Sequence, residues 1–485
     1  MEPIVSKISV ISENQSVVCI VGDGKIPESL MLSEAEKDFA GKKLNKNDDY
    51  VYINSCGRCI YIVKQKENLT LFKVREEIRK EASNLKKLIL SNNHSEIVIT
   101  SSSAYKGAIE DFAEGFILSV YSFDKYKTSS ADSNENISPK LLLAGDIADK
   151  NIKWLDDITD AVYFVRNVIN EPVNHLNAAM FAEKVQKLGV SSGFKVEILT
   201  KGKIEALKMG GLLSVNKGSV DPPVFSILEW KPVGHLNKNP FVLVGKGIMY
   251  DTGGLNIKTG DYMAGMHGDM AGAATVAGVM SVIAKNNMPL HVVGLLPMTD
   301  NRPGGNAFAQ GDIITMHNGM TVEIGNTDAE GRLILADAIS YASKYSPELI
   351  IDIATLTGSA AMTFGGKAIA LMTNADRKYI NLIAECGNDV YERISELPFW
   401  EEYEECLKSD VADINNIGKG REAGAILAGK FLEKFAKYPL IHLDIAGTSM
   451  LKNDDFYRTK NASGSGLRLL VAFLKKVAED YNKLK

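Results

Sequence analysis

Three acidic clusters in the second half of this 485-residue chain carry the residue types that can do chemistry. The first follows an apolar run as Val244-Gly245-Lys246-Gly247-Ile248-Met249-Tyr250-Asp251-Thr252-Gly253-Gly254, with Lys258 and Asp269 after it. The second is Asn326-Thr327-Asp328-Ala329-Glu330-Gly331-Arg332, which follows the strand-like residues 321–324, and the third is Leu443-Asp444-Ile445. In an open α/β sheet, ligands collect beyond the carboxyl ends of the strands, so acids placed there can converge although they are distant in sequence. Asp251, Asp269, Asp328 and Glu330 would form a four-carboxylate pocket. Like charges raise one another's pKa, and each loses hydration on burial, so such a pocket requires positive charge. Two divalent cations balance four carboxylates, and oxygen-rich donors suit zinc, manganese, cobalt or magnesium better than copper. The blander reading is a solvated acidic face, or helix N-caps for Asp328 and Glu330, where the macrodipole of the following helix favours anions. For any one acid alone that reading is the better one; the glycine-rich surroundings and apolar flanking strands favour the metal pocket for the set.

The elements that must position these residues can be read from hydrophobic pattern. Residues 241–244, 291–296, 349–354 and 441–445 are too apolar to face water on one side and suit the buried strands of a sheet covered by helices on both faces. Helical stretches at 271–284, 330–345, 423–435 and 466–477 lie between and after them. The expected fold is α/β: a small N-terminal α/β domain over residues 1–150, and a large C-terminal α/β/α domain over 151–485 with a mostly buried central sheet. The second domain would include a linker helix at about 155–169, stopped by Pro172, because proline disfavours helix in the residue before it. In the first domain, 4–11 and 17–21 read as strands around a turn at Glu13-Asn14-Gln15-Ser16. Residues 71–90 read as a helix around Val74, Ile78, Leu85 and Leu88, 96–100 as a strand and 104–121 as a helix. The polar run 128–139 reads as a surface loop inside that domain, since Leu141-Leu142-Leu143 resumes an apolar strand. An oligomer-forming or regulatory role is expected for this domain.

Composition narrows the classes further. With 55 Lys+Arg against 60 Asp+Glu, a formal charge of -5 and 45% hydrophobic residues, the chain has the balance of a globular protein. That charge argues against a protein that coats nucleic acid or an anionic membrane. No apolar run of about 18 residues is present that could span a bilayer, and the opening Met1-Glu2-Pro3-Ile4-Val5 does not read as a secretory signal. Five cysteines make no disulfide scaffold, and a reducing cytoplasm is the expected compartment. Cys56-Gly57-Arg58-Cys59 has redox-dithiol spacing, but its flanks read as the two strands of a hairpin, whereas a redox dithiol draws its low pKa partly from a helix N-terminus. The seven histidines form no His-Glu-x-x-His, and Gly245-Lys246-Gly247 lacks the third glycine of a dinucleotide fingerprint.

Residues 244–269 and the octapeptide Asn326-Thr327-Asp328-Ala329-Glu330-Gly331-Arg332-Leu333 resemble the leucyl aminopeptidases, the cytosol aminopeptidase family with two metal ions. The resemblance continues through Ala354-Thr355-Leu356-Thr357-Gly358, Ala412-Asp413 with Asn415, Ala423-Gly424-Ala425 and His442-Leu443-Asp444-Ile445-Ala446-Gly447-Thr448. It covers essentially all of the chain from Asn170-Glu171-Pro172-Val173-Asn174 onward; earlier, only Tyr121 with Phe123-Asp124-Lys125-Tyr126-Lys127 is similar.

The resemblance implies one metal held by Lys246, Asp251, Asp269 and Glu330, and another by Asp251, Asp328 and Glu330 with the Asp328 main-chain carbonyl. A lysine can ligate because a nearby dication disfavours its ammonium form. Lys258 and Arg332 match the family's two other catalytic side chains. The implied chemistry is attack by a water acidified between two metals, with Lys258 donating to the oxyanion and a bicarbonate on Arg332 serving as base. The free α-amine of a peptide would bind one metal, which makes the enzyme an exopeptidase acting at amino termini. Met266, Thr355, Leu356, Gly358 and Ala446 would line the pocket for the first side chain, with leucine-like groups preferred. His267 stands where the family usually has a basic residue and reads as a surface histidine; Thr252 stands where serine is commoner. Neither change removes a ligand. The family also implies a homohexamer. The alternatives are a non-catalytic binding or regulatory protein on the same fold, disfavoured because all seven site positions are filled, and nucleic-acid binding by the oligomer, disfavoured by the acidic charge.

Overall fold

The computed structural model describes residues 5–22, 25–46, 48–55, 57–128, 138–420 and 422–483. The chain divides into two units, Met1–Tyr163 with Asn453–Thr459, and Phe164–Lys452 with Lys460–Lys485.

The first unit follows the order β1 (Val5–Ile8), β2 (Val17–Val21), α1 (Glu34–Asn45), β3 (Tyr50–Ser55), β4 (Arg58–Lys64), α2 (Leu71–Ser91), β5 (Glu96–Ser101), α3 (Ala108–Ser119) and β6 (Lys140–Ala144). Its strands form one sheet in the order β1-β6-β5-β2-β4-β3. Every residue of central β2 is buried, which is why that run lacks polar alternation. Helix α1 starts at a capping box between Ser33 and Glu36. Helix α2 buries Val74, Ile78, Ala82, Leu85 and Ile89; Leu88, expected on this face, is only half-buried. Gly115 lets α3 cross α2 closely, since a Cβ there would stand 2.4 Å from the Arg79 carbonyl oxygen. Strands β3 and β4 pair antiparallel from Ser55 and Arg58 outward, as the hairpin reading expected. Cys56, Ile4 and most of the polar run, residues 129–137, lie outside the described residues.

Helix α4 (Asp149–Asn170) is longer than the expected linker helix and contains the point at which the two units divide. The second unit continues with α5 (Ala178–Ser192), β7 (Lys195–Leu199), α6 (Lys201–Ala206), α7 (Gly210–Asn216), β8 (Val224–Trp230), β9 (Phe241–Gly245) and β10 (Gly247–Asp251). Then come α8 (Ala271–Lys285), β11 (Val292–Asn301), β12 (Ile313–Thr315), β13 (Thr321–Glu323), α9 (Gly331–Ala342), β14 (Leu349–Ala354), α10 (Gly358–Phe364) and β15 (Ile369–Thr373). The chain closes with α11 (Arg377–Asp389), β16 (Ile394–Glu396), β17 (Ile414–Asn415), α12 (Gly424–Glu433), β18 (Leu440–Asp444) and α13 (Leu467–Lys483).

The main sheet has the order β16-β15-β18-β14-β9-β11-β8-β7, with β10 pairing β11. Strands β10, β11, β9, β14 and β18 run parallel, so their carboxyl ends share one edge, while β8 and β15 pair antiparallel at the flanks. Helices cover both faces. Gly294 of β11 faces Val276 and Met280 of α8, whereas its neighbours Val293 and Leu295 pack in a core with Leu212 of α7, Leu333 of α9 and Phe431 of α12. The sheet is therefore the buried middle layer expected from its apolar strands.

Candidate metal centre

The parallel strands deliver the acidic residues to a common edge. Strand β9 ends at Gly245, so Lys246 emerges from the sheet, and β10 ends on Asp251 itself. Strand β14 ends at Ala354, one residue before Thr355, and β18 ends on Asp444. Strand β13 leads into the turn carrying Asp328, and Glu330 is the N-cap residue of α9. Glycines allow these segments to approach. A Cβ at Gly272 would stand 2.0 Å from the Ile353 carbonyl oxygen, and one at Gly331 would stand 2.4 Å from Lys246 Cε.

One carboxylate oxygen from each of Asp251, Asp328 and Glu330 lies within 4.8 Å of the others. Asp269 is not in that group of three; it joins the site through Lys246. The Lys246 ammonium lies 2.8 Å from Asp269 Oδ2 and 3.0 Å from Glu330 Oε1, and it donates to the Thr355 carbonyl at 2.8 Å. Lys258 Nζ lies 2.8 Å from Asp251 Oδ2 and 2.5 Å from Asp328 Oδ1. Four carboxylates are thus bridged in pairs by two lysines. Lys246, Asp251, Asp269 and Glu330 are buried and Asp328 is exposed.

Electrostatics reflect this excess of negative charge. Burial by itself lowers the Lys246 pKa, but Asp269, Glu330 and Asp251 outweigh it and hold the ammonium well above its ordinary value. Lys258 is raised in the same way, by Asp251, Glu330 and Asp328 against burial. Burial pushes Asp269 up to about 8 against the opposing Lys246, with Glu330 and Asp251 adding to the rise. Glu330 Oε2 is buried and accepts no hydrogen bond, while Asp269 Oδ2 is met by the Lys246 ammonium. A buried carboxylate oxygen without a donor, set among three further acids, fits divalent cations, because it loses hydration with no protein donor to replace it.

Arg332, on the first turn of α9, is buried and donates through Nη1 to the Asn416 carbonyl at 2.8 Å, while its Nε has no partner. Burial lowers its pKa to about 10 against the opposing Glu330 and Asp444. Of the residues expected around the first side chain, Thr355 touches a site acid, while Leu356 and Ala446 touch Asp444. Thr355 Oγ1 donates to Asp269 Oδ1 at 2.7 Å. The Leu356 and Ala446 amides donate to Asp444 Oδ1 at 3.1 and 3.0 Å, and Thr357 Oγ1 donates to Asp444 Oδ2 at 2.6 Å. Gly358 opens to free space, and Met266 shares the short 266–268 turn that precedes Asp269. His267, expected at the surface, is half-buried in that turn, and burial lowers its pKa.

Residues 163–471 match the catalytic domain of the cytosol aminopeptidase family. The chain belongs to the cytosol aminopeptidase family. It is 43% identical over 385 residues to a probable cytosol aminopeptidase of Chloroherpeton thalassium, a match covering 75% of this chain and 74% of that one. It is 37% identical over 444 residues to a protein of the same description from Sulfurihydrogenibium sp., covering 90% of this chain and 86% of that one. Among solved structures, the bottromycin maturation enzyme BotP in complex with Mn superposes with a TM-score of 0.83 at 25% identity, over 96% of this chain and 99% of that chain.

In this member of the cytosol aminopeptidase family, several site residues escaped the sequence reading. Asn301 donates to Asp251 Oδ1 at 2.9 Å and to the Thr327 carbonyl at 3.0 Å. Asn256 accepts from the Thr327 amide at 2.8 Å. Asn416 accepts from the Gly325 and Asn326 amides and donates to the Asn326 carbonyl. The available signal for Asn301 was its place at the end of a strand, but β11 runs to Asn301 while its apolar pattern stops at Leu296.

Proposed function

We propose that this chain is a metal-dependent aminopeptidase that releases N-terminal amino acids, leucine-like ones preferred, from peptides. The observation that carries the reading is the convergence of Asp251, Asp328 and Glu330, with Asp269 linked through Lys246, in a chain of the cytosol aminopeptidase family. One divalent cation would be held by Lys246, Asp251, Asp269 and Glu330, and a second by Asp251, Asp328 and Glu330. When bound, such cations supply a water acidic enough to attack a peptide carbonyl near neutral pH, and positive charge for the oxyanion that forms. Zinc and manganese are the metals we favour, with cobalt and magnesium suited to the same oxygen donors.

The chain's own side chains do the rest. Lys258, held as an ammonium by its acidic neighbours, can donate a proton-bearing hydrogen bond to the developing oxyanion. Lys246 would release its proton to solvent where a dication sits beside it, because the dication disfavours the ammonium, and its neutral amine would then be free to ligate. Arg332 keeps an unpartnered Nε, a donor suited to the bicarbonate that the family implies. The free α-amine of a peptide, neutral when it ligates, would bind one of the cations, which favours exopeptidase action at amino termini. Met266, Thr355, Leu356, Gly358 and Ala446 form the wall for the first side chain; discrimination by such an apolar wall amounts to about 1–3 kcal/mol per methylene. A homohexamer in the cytoplasm completes the reading; light scattering would show a mass six times that of one chain.

Assay of the purified chain on leucine amide and free-amine dipeptides tests the proposal. Activity should vanish with a strong chelator and return with zinc, manganese or cobalt. A metal-loaded chain that turns over no free-amine peptide would instead be a non-catalytic binding protein on this fold.

A further inference from the structure

We propose that Asn301 is a positioning residue of the centre, whose amide fixes the Asp251 carboxylate and the turn carrying Asp328 in the arrangement that takes up divalent cations. This rests on the metal-dependent reading above. Asn301 is fully buried at the carboxyl end of β11, the parallel neighbour of the strand that ends on Asp251. Its Nδ2 lies 2.9 Å from Asp251 Oδ1 and 3.0 Å from the Thr327 carbonyl oxygen. Both partners are pure acceptors, so both amide hydrogens are used and the orientation of the amide is settled by its surroundings. One side chain therefore ties the strand end that carries Asp251 to the turn that carries Asp328.

The consequence for Asp251 is a fixed carboxylate edge. Oδ1 accepts from Asn301 Nδ2 and from the Gly253 amide at 2.8 Å, while Oδ2 faces Lys258 at 2.8 Å. The Asn301 backbone adds to the same corner, because its carbonyl accepts from the Thr252 amide and hydroxyl at 3.0 and 2.8 Å. Asn301 Oδ1 has no donor although it is buried. It points at Gly254, where a Cβ would lie 2.8 Å from it and where φ is +64°. An unsatisfied buried acceptor is costly, so the side chain's two donor bonds, rather than its oxygen, account for an amide at this position. Aspartate would set acceptor against acceptor, and leucine would fill the space with no donor.

Partners that orient ligating carboxylates typically change metal affinity by about 10–100-fold when replaced. The test measures Mn²⁺ binding by calorimetry on the full chain after chelator treatment, in wild type, Asn301→Leu, Asn301→Ala and Asn256→Ala. The two Asn301 variants differ in the space they leave, so either one that retains the wild-type secondary structure serves. The expected result is a loss of Mn²⁺ affinity of about 10–100-fold in the Asn301 variants. Asn256→Ala breaks bonds to Thr327 without touching Asp251 and should lose clearly less. Wild-type affinity in an Asn301 variant, an equal loss in Asn256→Ala, or loss of fold in both Asn301 variants overturns the positioning role. A wild-type chain that binds neither Mn²⁺ nor Zn²⁺ overturns the metal reading itself.

Discussion

Lys246 and Lys258 divide four carboxylates between them, and this division separates the roles of the individual acids. Asp251 belongs to the group whose oxygens converge within 4.8 Å, whereas Asp269 lies outside that group and is bonded to Lys246 and Thr355. If Asp251 touches both cations and Asp269 one, Asp251→Ala should lower the bound metal per chain more than Asp269→Ala. Elemental analysis of the two variants after dialysis measures this, and equal loss counts against a bridging Asp251. The acids were legible because their clusters follow strand-like runs: Asp251 ends β10, and Asp328 and Glu330 come after β13. Their pairing with lysines was not, since Lys246 and Glu330 are distant in sequence and meet where β9 and α9 pack.

At the scale of elements, two glycines hold helices against the site with different consequences. A Cβ at Gly272 would meet backbone, the Ile353 carbonyl oxygen at 2.0 Å and the Lys246 amide nitrogen at 2.8 Å. Gly272→Ala should therefore destabilise the protein by at least about 1–3 kcal/mol, as overpacking does. A Cβ at Gly331 would first meet the far end of Lys246, with Cε at 2.4 Å and Nζ at 2.6 Å. Gly331→Ala should leave the denaturation midpoint near wild type while displacing Lys246 and lowering metal content and activity. Denaturant titration together with metal analysis separates the two cases, and a Gly331→Ala protein with full metal content would contradict the packing argument. Helix α9 also carries Asp337, which accepts from the Leu212 and His317 amides at 2.9 Å each. Burial raises its pKa to about 7, well above the ordinary carboxylate value. Between pH ~4 and ~7 the folded chain keeps a proton that the unfolded chain has lost, so this group's contribution to stability falls as pH rises through that window, by up to about 4 kcal/mol in all. Asp337→Asn should remove this slope. Urea unfolding at several pH values across the window checks it; a variant whose stability difference from wild type does not change with pH sinks the assignment.

For the whole molecule, the proposed cations link site and stability. A ligand that binds only the native state at 100 times its dissociation constant adds about 2.7 kcal/mol. Chelation should therefore lower the thermal midpoint, and added manganese should restore it in a concentration-dependent way. The protected amides should include the strand ends β10 and β11 and residues 326–332, which carry or adjoin the proposed ligands. Unchanged hydrogen exchange there on adding manganese would argue against a bound cation. The first unit, whose own sheet and buried core are complete within its residues, contains none of the proposed ligands and should exchange alike with or without metal.

The amino-acid sequence by itself determined the apolar strands β9, β14 and β18 to within a residue, the helices that separate them, the acids at their ends and the family to which the chain belongs. Burial and helical or extended periodicity are written into contiguous residues, so they can be read locally. Tertiary structure alone decided that Asp269 stands apart from the other three acids, that two lysines bridge the four, that His267 is half-buried, and that Asn301 and Asn416 are site residues. The lysine bridges and the place of Asn301 depend on the order β18-β14-β9-β11 bringing distant strand ends together, and that of Asn416 on the pairing of β13 with β17. Strand order arises from long-range pairing, and a buried asparagine has the same local signature as one in a solvated loop.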